Sequence, residues 1–391
     1  MNTTPDRIHV FEVSKSTGGV GSYTRRLVKA LDKEHFKVTV ACLSNGAEQM
    51  AAELSQIPGV NAFSFPMAAY HIDPFSDIRV LFKLAQLIRR EQFDVIHAHT
   101  SKPGFLARIA AFGTGIPVIY RPANFSFDDS VPRLRAYFYS LLERFAARFL
   151  TSRIITVSKG ERDLARRYHV GKDSQFVMIS TGIDLNQFAA PVDVEMKRIS
   201  LGIPIDVPLI GTVSRITKDK GPFDFVEAAS LVHVQFPNVH FLWVGDGPLE
   251  EMVKVRVRLL NLNGVFHFVG LRYDIPEILK IMDCFVLSSH SEALSIAMLE
   301  AMASGLPVVT TMVPGADEAI KNGETGFLVP IGGIKELAGA IFQLLKDPVR
   351  AQRMGKSARD CIESNFSLSK MISATEHLYE SVFKEKTEQD H

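Results

Sequence analysis

Short apolar runs alternate with amphipathic stretches along the whole chain. In the first half, runs rich in β-branched and aromatic residues predict strands, and stretches with apolar residues every three to four positions predict the helices between them. The predicted strands are 7–13, 37–43, 93–97, 117–121 and 153–157, and the helices include 21–31 and 78–91. Such alternation is typical of a parallel sheet covered by helices on both faces.

A second series of the same kind begins with a strand near Leu209. Further strands are predicted at 240–245, 265–269, 284–288 and 307–311, and helices at 223–236, 249–260, 275–282 and 295–304. The sequence therefore predicts an α/β protein with two consecutive doubly wound, Rossmann-like domains, over residues 1–190 and 205–365. A proline-containing stretch joins them, and a final helix, 366–391, is expected to pack back toward the first domain.

The composition is that of an ordinary globular protein, with 46% hydrophobic and 22% charged residues. The net charge of +1 argues against nucleic acid as a partner, but residues 1–190 carry a net +7 and the rest −6. Cys42, Cys284 and Cys361 match no disulfide or zinc spacing and are predicted to be buried free thiols. No apolar run is long enough to cross a bilayer, and the N-terminus does not resemble a secretory signal. We expect a cytoplasmic protein, or one peripheral on the inner face of the cell membrane.

Two loops that follow predicted strands contain candidate anion-binding residues. In STGGVGSY, residues 16–23, Gly18 and Gly19 would let a ligand approach the backbone at a helix N-terminus, although an ordinary tight turn is an equal alternative. In VSRITKDKG, residues 213–221, Arg215 and Lys220 could converge on one anion, although a solvated charged loop also fits their spacing.

The segment HSEALSIAMLEAMASGL, residues 290–306, has two carboxylates, Glu292 and Glu300, in and before a predicted helix. Eight residues at about 100° each leave them roughly 80° apart around the helix axis, so they cannot form one acid/base pair. They could hold different parts of a polyhydroxylated ligand whose phosphates rest on the helix N-terminus. A solvated helix face is the alternative.

These motifs, with VGDGP at 244–248, FVGLRYDIPEIL at 268–279 and DVIHAHTSKPGFLARIAA in the first half, resemble the retaining glycosyltransferases of family 4. The resemblance spans nearly the whole chain. It implies the GT-B fold, in which two Rossmann-like domains face each other across a cleft, and transfer of a hexose from a nucleotide sugar, most commonly a UDP sugar. Bacterial surface-polysaccharide enzymes share this order of motifs, which implies a saccharide acceptor, usually linked to a lipid.

The resemblance also implies roles for individual residues. Arg215 and Lys220 would grip the donor diphosphate, Glu292 the sugar hydroxyls and Glu300 the nucleotide ribose, with Glu292, Arg215 and Lys220 as the catalytic set. The remaining donor contacts would come from Gly18, Gly19, Gly245, Gly247, Leu271, Arg272 and the backbone of Ala293, Leu294, Ser295 and Ile296. The chain contains no D-x-D motif, so neither a metal nor a cofactor is expected. The usual proposal for such enzymes is that the leaving phosphate itself takes the acceptor proton.

One departure from the family pattern falls near the expected reaction centre. Relatives usually have Pro-His-Gly-Phe where this chain has Pro122, Ala123, Asn124 and Phe125. The Asn124 amide could hydrogen-bond a sugar hydroxyl but cannot transfer a proton at neutral pH. Sugar choice therefore differs from that of relatives, or activity is lower.

The strand predicted at 93–97 continues into an H-x-H pair, His97 and His99, which lie on one face of a strand. No third metal ligand is evident in the sequence. We interpret His97 as a core histidine, and His99, with Lys102 and Asn124, as possible contacts to the acceptor or the sugar.

The positive charge of the first half is concentrated in residues 133–172, with ten Lys or Arg and three acids. Within it, Leu134, Phe138, Leu141, Phe145 and Phe149 repeat at helical spacing. A core-packing helix with a basic outer face is one interpretation. The other is a surface that binds anionic lipid, as an enzyme acting on a polyprenyl-diphosphate sugar would need.

Two alternative functions fit the same fold. One is a hydrolysing UDP-sugar epimerase, which the spacing of Glu292 and Glu300 with Arg215 and Lys220 disfavours. The other is a catalytically silent glycosyltransferase-like subunit, which Ala123 would explain.

Overall fold

The computed structural model describes residues 7–68, 73–127 and 131–389 and divides the chain into two compact units. One unit comprises Met1–Thr181 with Ser369–His391, and the other comprises Gly182–Leu368. The division falls earlier than the expected domain limit at residue 190, because Ile183 already bonds to the end of the second unit. Its amide donates to Phe366 at 2.8 Å, and its carbonyl accepts from Leu368 at 3.0 Å.

The first unit is built on a seven-stranded sheet in which every neighbouring pair is parallel. Its strands are β1 (Ile8–Lys15), β2 (Phe36–Leu43), β3 (Val60–Phe65), β4 (Val95–His99), β5 (Val118–Arg121), β6 (Arg153–Thr156) and β7 (Phe176–Met178), in the order β3-β2-β1-β4-β5-β6-β7. Its first six helices are α1 (Gly18–Ala30), α2 (Ala47–Leu54), α3 (Pro74–Arg90), α4 (Ser101–Ala110), α5 (Arg133–Phe149) and α6 (Lys159–Arg167). Right-handed crossovers place α1 and α2 on one face of the sheet and α3 to α6 on the other.

The second unit has six parallel strands in the order β10-β9-β8-β11-β12-β13. They are β8 (Leu209–Val213), β9 (His240–Val244), β10 (Phe266–Phe268), β11 (Cys284–Leu287), β12 (Val308–Thr311) and β13 (Gly326–Val329). Its helices are α7 (Val194–Ser200), α8 (Pro222–Gln235), α9 (Glu250–Leu259), α10 (Ile275–Lys280), α11 (Ile296–Ala303), α12 (Ala316–Ala319), α13 (Ile334–Lys346) and α14 (Pro348–Asn365). Two parallel-sheet α/β units confirm the predicted fold class.

The last helix, α15 (Leu368–Gln389), is attached to the first unit by polar contacts along its length. The Tyr379 hydroxyl donates to Glu12 on β1 at 2.6 Å and lies 2.6 Å from Nδ1 of His97 on β4. Near its end, Glu385 accepts two hydrogen bonds from Arg153, at 2.6 and 2.7 Å. Because Tyr379, Glu12 and His97 have no exposed surface, these bonds form in a low-dielectric interior where an unmade bond is costly.

Helix α5 turns its large apolar side chains outward. Its buried residues are small, apart from one carboxylate: Ala136, Ser140, Glu143, Ala146 and Ala147. Its exposed large hydrophobic residues are Leu134, Tyr137, Phe138, Leu141, Phe145 and Phe149, with Leu134 at 83% and Phe149 at 59%. The core-packing interpretation of this apolar row is therefore wrong.

A buried ion pair explains why the face of α5 that has small side chains points inward. Arg108 of α4 donates two hydrogen bonds to Glu143 of α5, at 2.8 and 2.9 Å, and Tyr120 of β5 donates a third at 3.1 Å. The Arg108 guanidinium also lies 3.8 Å from the centre of the Tyr120 ring. Turning Glu143 outward would leave Arg108 buried without its counter-ion, at a cost of several kcal/mol, about 3–5 for breaking such a pair.

The prediction that all three cysteines are buried free thiols is only partly confirmed. Cys42 and Cys284 are buried free thiols, and burial raises the pKa of both. Cys361 is only half-buried, because it lies on α14, whose inner face is formed instead by Met354, Ala358 and Ile362. Among the described helices, none is both long and apolar enough to span a membrane.

We predict that Tyr379→Phe destabilises the first unit by about 1–3 kcal/mol, because it removes a buried donor to the Glu12 carboxylate. Hydrogen exchange of the β1 and β4 amides, measured with urea unfolding, would report the change. Tyr273→Phe is the control, since Tyr273 is 83% exposed. Equal protection in both variants would contradict the assigned role of the Tyr379 hydroxyl.

Candidate active site

The loop between β8 and α8 is bent sharply at Gly221. This residue has a φ of +57°, and a Cβ there would lie 2.1 Å from the carbonyl oxygen of Ser288. Only glycine therefore allows the 214–221 loop to lie against the end of β11. The Ser288 hydroxyl stabilises this contact by donating to the carbonyl of Gly221 at 2.9 Å.

This close approach brings Lys220 and Glu292 together. The Lys220 ammonium is 2.8 Å from Oε1 of Glu292, and the Ser289 hydroxyl donates to the same oxygen at 3.1 Å. Burial opposes the charge on Lys220, but Glu292 and Asp219 outweigh it and raise its pKa above the ordinary value. Lys220 is therefore a fixed positive charge near the carboxyl edge of the second sheet.

Main-chain bonds hold the Glu292 loop in place from the other side. The amides of His290 and Ser291 both donate to the carbonyl of Asp219, at 2.7 and 3.3 Å. The His290 ring lies 2.6 Å from the carboxylate of Asp224, which lies in the first turn of α8. The loops after β8 and β11 thus form one structure, and the sequence motif gave no sign of the contributions of Asp219 and Asp224.

Arg215 lies exposed in the same loop, close to the VGDGP motif. A Cβ at Gly245 would lie 2.1 Å from the carbonyl oxygen of Ser214, and one at Gly247 would lie 2.4 Å from that of Ile216. Gly245 and Gly247, predicted as donor contacts, therefore have a visible local function in this structure: they let the loop after β9 pack on the loop after β8.

Helix α11 begins where the Glu292 loop ends. Ser295 is its N-cap, and the Ser295 hydroxyl accepts from the amide of Met298 at 3.4 Å. Within the described part of the chain, the amides of Leu294 and Ser295 donate no hydrogen bond, so this N-terminus has donors available for an anion. Glu300 is half-buried in the second turn, and the Ala293 side chain is buried.

The predicted base-contacting loop contains a second charged cluster. Leu271 is exposed, and Arg272 donates to both carboxylate oxygens of Asp274, at 2.8 and 2.6 Å. Lys197 of α7 also contacts Asp274. The hydrogen bond from Arg272 lowers the pKa of Asp274, so this carboxylate stays charged and fixes the guanidinium. Sequence reasoning found Arg272 but missed Asp274, for which the R-x-D spacing was the available signal.

In the first unit, Gly18 and Gly19 are exposed at the start of α1, directly after β1. Gly18 has a φ of +68°, and the N-cap residue, Thr17, makes no side-chain hydrogen bond to the helix. Gly21 is needed for packing, since a Cβ there would lie 2.3 Å from the carbonyl oxygen of Ser16. The motif therefore combines one structural glycine with two that leave the helix N-terminus open.

His99 lies inside the sheet rather than at a ligand-accessible surface. It is fully buried, and its Nε2 donates to Glu12 at 2.7 Å. Burial and the nearby His97 lower the pKa of His99 to about 3, so the ring is neutral. A direct sugar or acceptor contact from His99 has no exposed surface on which to form.

Glu12 supplies the third potential metal ligand that the sequence did not reveal. Its carboxylate and the rings of His97 and His99 offer ligand atoms within 4.8 Å of one another. Yet His99 and Glu12 are at hydrogen-bond distance, 2.7 Å, whereas ligands around a tetrahedral ion lie roughly 3.3 Å apart. Hydrogen bonds join Glu12, His97, His99 and Tyr379, although the buried Nε2 of His97 and Nδ1 of His99 have no hydrogen-bond partner among the described residues. The short contacts fit a hydrogen-bonded network better than a metal centre.

Lys102 and Asn124 lie near the carboxyl edge of the same sheet. Lys102 is held by Asp77 at 2.7 Å and by the carbonyl of Ala68 at 2.9 Å. The backbone amide of Asn124 donates to buried Glu161 at 2.8 Å, and the Asn124 side chain is half-buried. These contacts fix the side chain of Lys102 at the start of α4 and the backbone of Asn124 after β5.

The departure from the family pattern has a visible backbone consequence. Ala123 has a φ of +54° and Asn124 a φ of +114°, so two consecutive residues adopt conformations that favour glycine. Asn124 occupies the position at which the family resemblance implies glycine. The loop therefore keeps a glycine-type shape without a glycine, and Glu161 holds it there.

Comparison with known proteins identifies the class of protein that this fold and site define. The family model described as glycosyl transferases group 1 matches residues 193–360, and that of the glycosyl transferase 4-like domain matches residues 18–182. The chain belongs to this family of glycosyltransferases, as its sequence motifs predicted.

Individual relatives agree with this assignment. The chain is 29% identical over 386 residues to an Escherichia coli UDP-Gal:alpha-D-GlcNAc-diphosphoundecaprenol alpha-1,3-galactosyltransferase, covering 97% of this chain and 98% of the relative. It is 30% identical to the alpha-maltose-1-phosphate synthase of Mycolicibacterium smegmatis, covering 93% and 96%. Among solved structures, Anabaena HepE in complex with UDP and glucose superimposes with a TM-score of 0.82 at 22% identity, covering 96% of this chain and all of HepE. The superposition on HepE confirms the GT-B fold.

We predict that Asn124→Gly stabilises the first unit by about 1 kcal/mol, because glycine adopts a φ of +114° without strain. Urea unfolding monitored by hydrogen exchange in β5 is the measurement. Asn45→Gly, in the exposed loop after β2, is the control for the entropy that any new glycine adds to the unfolded chain. A loss of stability equal to that of the control would show that Asn124 is unstrained.

Proposed function

We propose that this protein is a retaining, metal-independent hexosyltransferase that moves a sugar from a UDP sugar to a saccharide linked to polyprenyl diphosphate. The observation that carries the proposal is the half-buried contact between Lys220 and Glu292, at 2.8 Å, beside the open N-terminus of α11. A fixed cation, free helix amides and a carboxylate within one loop pair suit a diphosphate and a sugar bound together.

In this proposal the donor lies along the carboxyl edge of the second sheet. Lys220 and Arg215 neutralise the diphosphate, and the amides of Leu294 and Ser295 donate to its oxygens. Glu292 accepts from the sugar hydroxyls, and Glu300 accepts from the ribose. Arg272, fixed by Asp274, lies beside the base.

The charge arrangement supports leaving-group stabilisation as the main catalytic effect. As the bond from the sugar C1 to the phosphate oxygen breaks, negative charge grows on the diphosphate, and a preorganised cation stabilises it without rearrangement. That phosphate oxygen then takes the proton of the acceptor hydroxyl, and the new glycosidic bond forms on the face that the phosphate leaves. Positive side chains, rather than a metal held by a D-x-D motif, supply the charge.

The E. coli relative supports the choice of substrates, because its name specifies a UDP-linked sugar and a saccharide on diphosphoundecaprenol. In this chain, the open N-terminus of α1 at Gly18 and Gly19 offers main-chain donors to an acceptor diphosphate. The side-chain amide of Asn124 is proposed to bind a sugar hydroxyl. With no imidazole at position 123, that contact is made by a neutral group.

The proposed acceptor is a membrane lipid, and the outer face of α5 supports attachment to an anionic membrane. Its six exposed apolar residues are accompanied by Arg133, Arg135 and Arg148 on the same helix. The surrounding segment 133–172 has a net charge of +7. An apolar row flanked by arginines suits a helix lying at the interface of an anionic bilayer, and we propose the inner face of the cell membrane.

We predict that Lys220→Ala and Glu292→Ala each reduce sugar transfer at least about 100-fold, because one removes the cation and the other removes the carboxylate that positions Lys220 and accepts from the sugar hydroxyls. The assay follows transfer from a panel of UDP sugars to a synthetic polyprenyl-diphosphate saccharide, with and without EDTA. Lys218→Ala is the matched control, since Lys218 is exposed in the same loop. Near-normal transfer by both variants would refute this site. UDP-sugar turnover without an acceptor would favour epimerase activity.

We predict that Phe138→Ser combined with Phe145→Ser reduces binding to anionic vesicles at least about tenfold, because both aromatic side chains are exposed on α5. Co-flotation with vesicles of phosphatidylglycerol and phosphatidylcholine is the measurement. The unchanged protein should bind the mixed anionic vesicles more strongly than vesicles of pure phosphatidylcholine, and its binding to the anionic vesicles should weaken with salt. Phe75→Ser, an exposed position on α3, tests whether any lost aromatic has the same effect. Equal binding to both kinds of vesicle would overturn the membrane proposal.

A further inference from the structure

A cavity of about 600 Å³ opens at the amino edge of the first sheet, at the end opposite Gly18 and Asn124. It is lined by the residues that begin β5 and β6, by the ends of α4 and α5, and by Val382, Glu385 and Lys386 of α15. Helix α5 has 17 residues and is therefore about 25 Å long, which separates this cavity from the carboxyl edge of the sheet. The cavity is not part of the candidate active site.

The cavity has an excess of positive charge. Arg108, Arg148, Arg153 and Lys386 line it, and Glu385 is the one carboxylate among the described residues of its lining. Arg108 is neutralised by Glu143, and Arg153 by Glu385. Arg148 and Lys386 have no carboxylate within ion-pair distance among the residues that the structure describes. Two uncompensated cations on one concave surface favour an anionic ligand.

The walls also contain exposed aromatic side chains. Phe112, at the end of α4, is 67% exposed, and Phe149, at the end of α5, is 59% exposed. Phe149 is also the last member of the apolar row on α5, so the cavity is continuous with that row. A free inorganic anion would make no use of these rings, whereas an anion attached to hydrocarbon would contact both parts of the surface.

We propose that this cavity binds the headgroup phosphate of an anionic phospholipid of the membrane on which α5 rests. Arg148 and Lys386 contact the phosphate, and Phe112 and Phe149 contact the start of the acyl chains. The proposal rests on the membrane attachment argued above, but not on the glycosyl transfer. The acceptor diphosphate is not the occupant, because it must reach the carboxyl edge. A bilayer that contacts α5 along its length would hold the first unit at both ends of the helix.

The test uses the full-length protein and dihexanoyl phosphatidylglycerol, a short-chain lipid, below its micelle concentration. Calorimetric titration should show saturable binding that is at least about tenfold weaker in the double variant Arg148→Gln, Lys386→Gln. Dihexanoyl phosphatidylcholine and inorganic phosphate should bind at least about tenfold more weakly than phosphatidylglycerol. The matched control is Arg79→Gln, Lys384→Gln, which removes two exposed cations, one from α3 and one from α15, outside the cavity and should bind normally.

Two results would overturn the proposal. One is equal binding of phosphatidylglycerol by the double variant, with circular dichroism showing that it is folded. The other is inorganic phosphate binding as tightly as the lipid, which would make this a site for a free anion.

The same titration separates this proposal from those it accompanies. The double variant Phe138→Ser, Phe145→Ser should lose binding to vesicles but still bind the short-chain lipid. The variant Lys220→Ala should lose sugar transfer but still bind the short-chain lipid. Loss of short-chain lipid binding in the Phe138 and Phe145 variant would overturn the assignment to the cavity, since neither residue lines it.

Discussion

The contact between Lys220 and Glu292 determines the shape of the second unit's carboxyl edge. It joins the loop after β8 to the loop after β11, and it forms only because Gly221 lets the two backbones meet. Glu292 and Asp219 raise the pKa of Lys220 against the effect of its burial, so the lysine keeps its charge. The open end of α11 therefore lies beside a cation whose position is fixed by both loops.

The outward row on α5 shows why an amphipathic pattern does not determine which face is buried. The spacing of Leu134, Phe138 and Phe145 fits a buried helix and a membrane-facing helix equally well. The decision comes from Glu143, which is bound to Arg108, a residue 35 positions earlier in the chain. Sequence periodicity reports which residues share a face. Only the long-range ion pair reports where that face points.

Local patterns predicted most of the fold and the second unit's candidate site. Strands such as β2 and β12 and the Gly221 loop follow from short apolar runs, glycines and motif spacing, which depend on neighbours in sequence. The strands β3, β7 and β13 were missed because they have only six, three and four residues, and in β3 the polar Asn61 and Ser64 interrupt the apolar run. Glu12 and Tyr379 were missed for another reason: their bond joins residues 367 positions apart, and nothing local distinguishes either from an ordinary strand carboxylate or helix tyrosine.

The charge difference between the two halves of the sequence gains a physical meaning from these sites. The second half is acidic overall, yet its candidate diphosphate site depends on two cations placed at the end of one strand. In the first half, the excess charge of segment 133–172 is distributed over α5, the start of β6 and α6. In the proposed function, the local placement of charge therefore determines donor binding in the second unit. A distributed charge in the first unit suits an extended anionic surface, whose attraction is summed over many weak contacts.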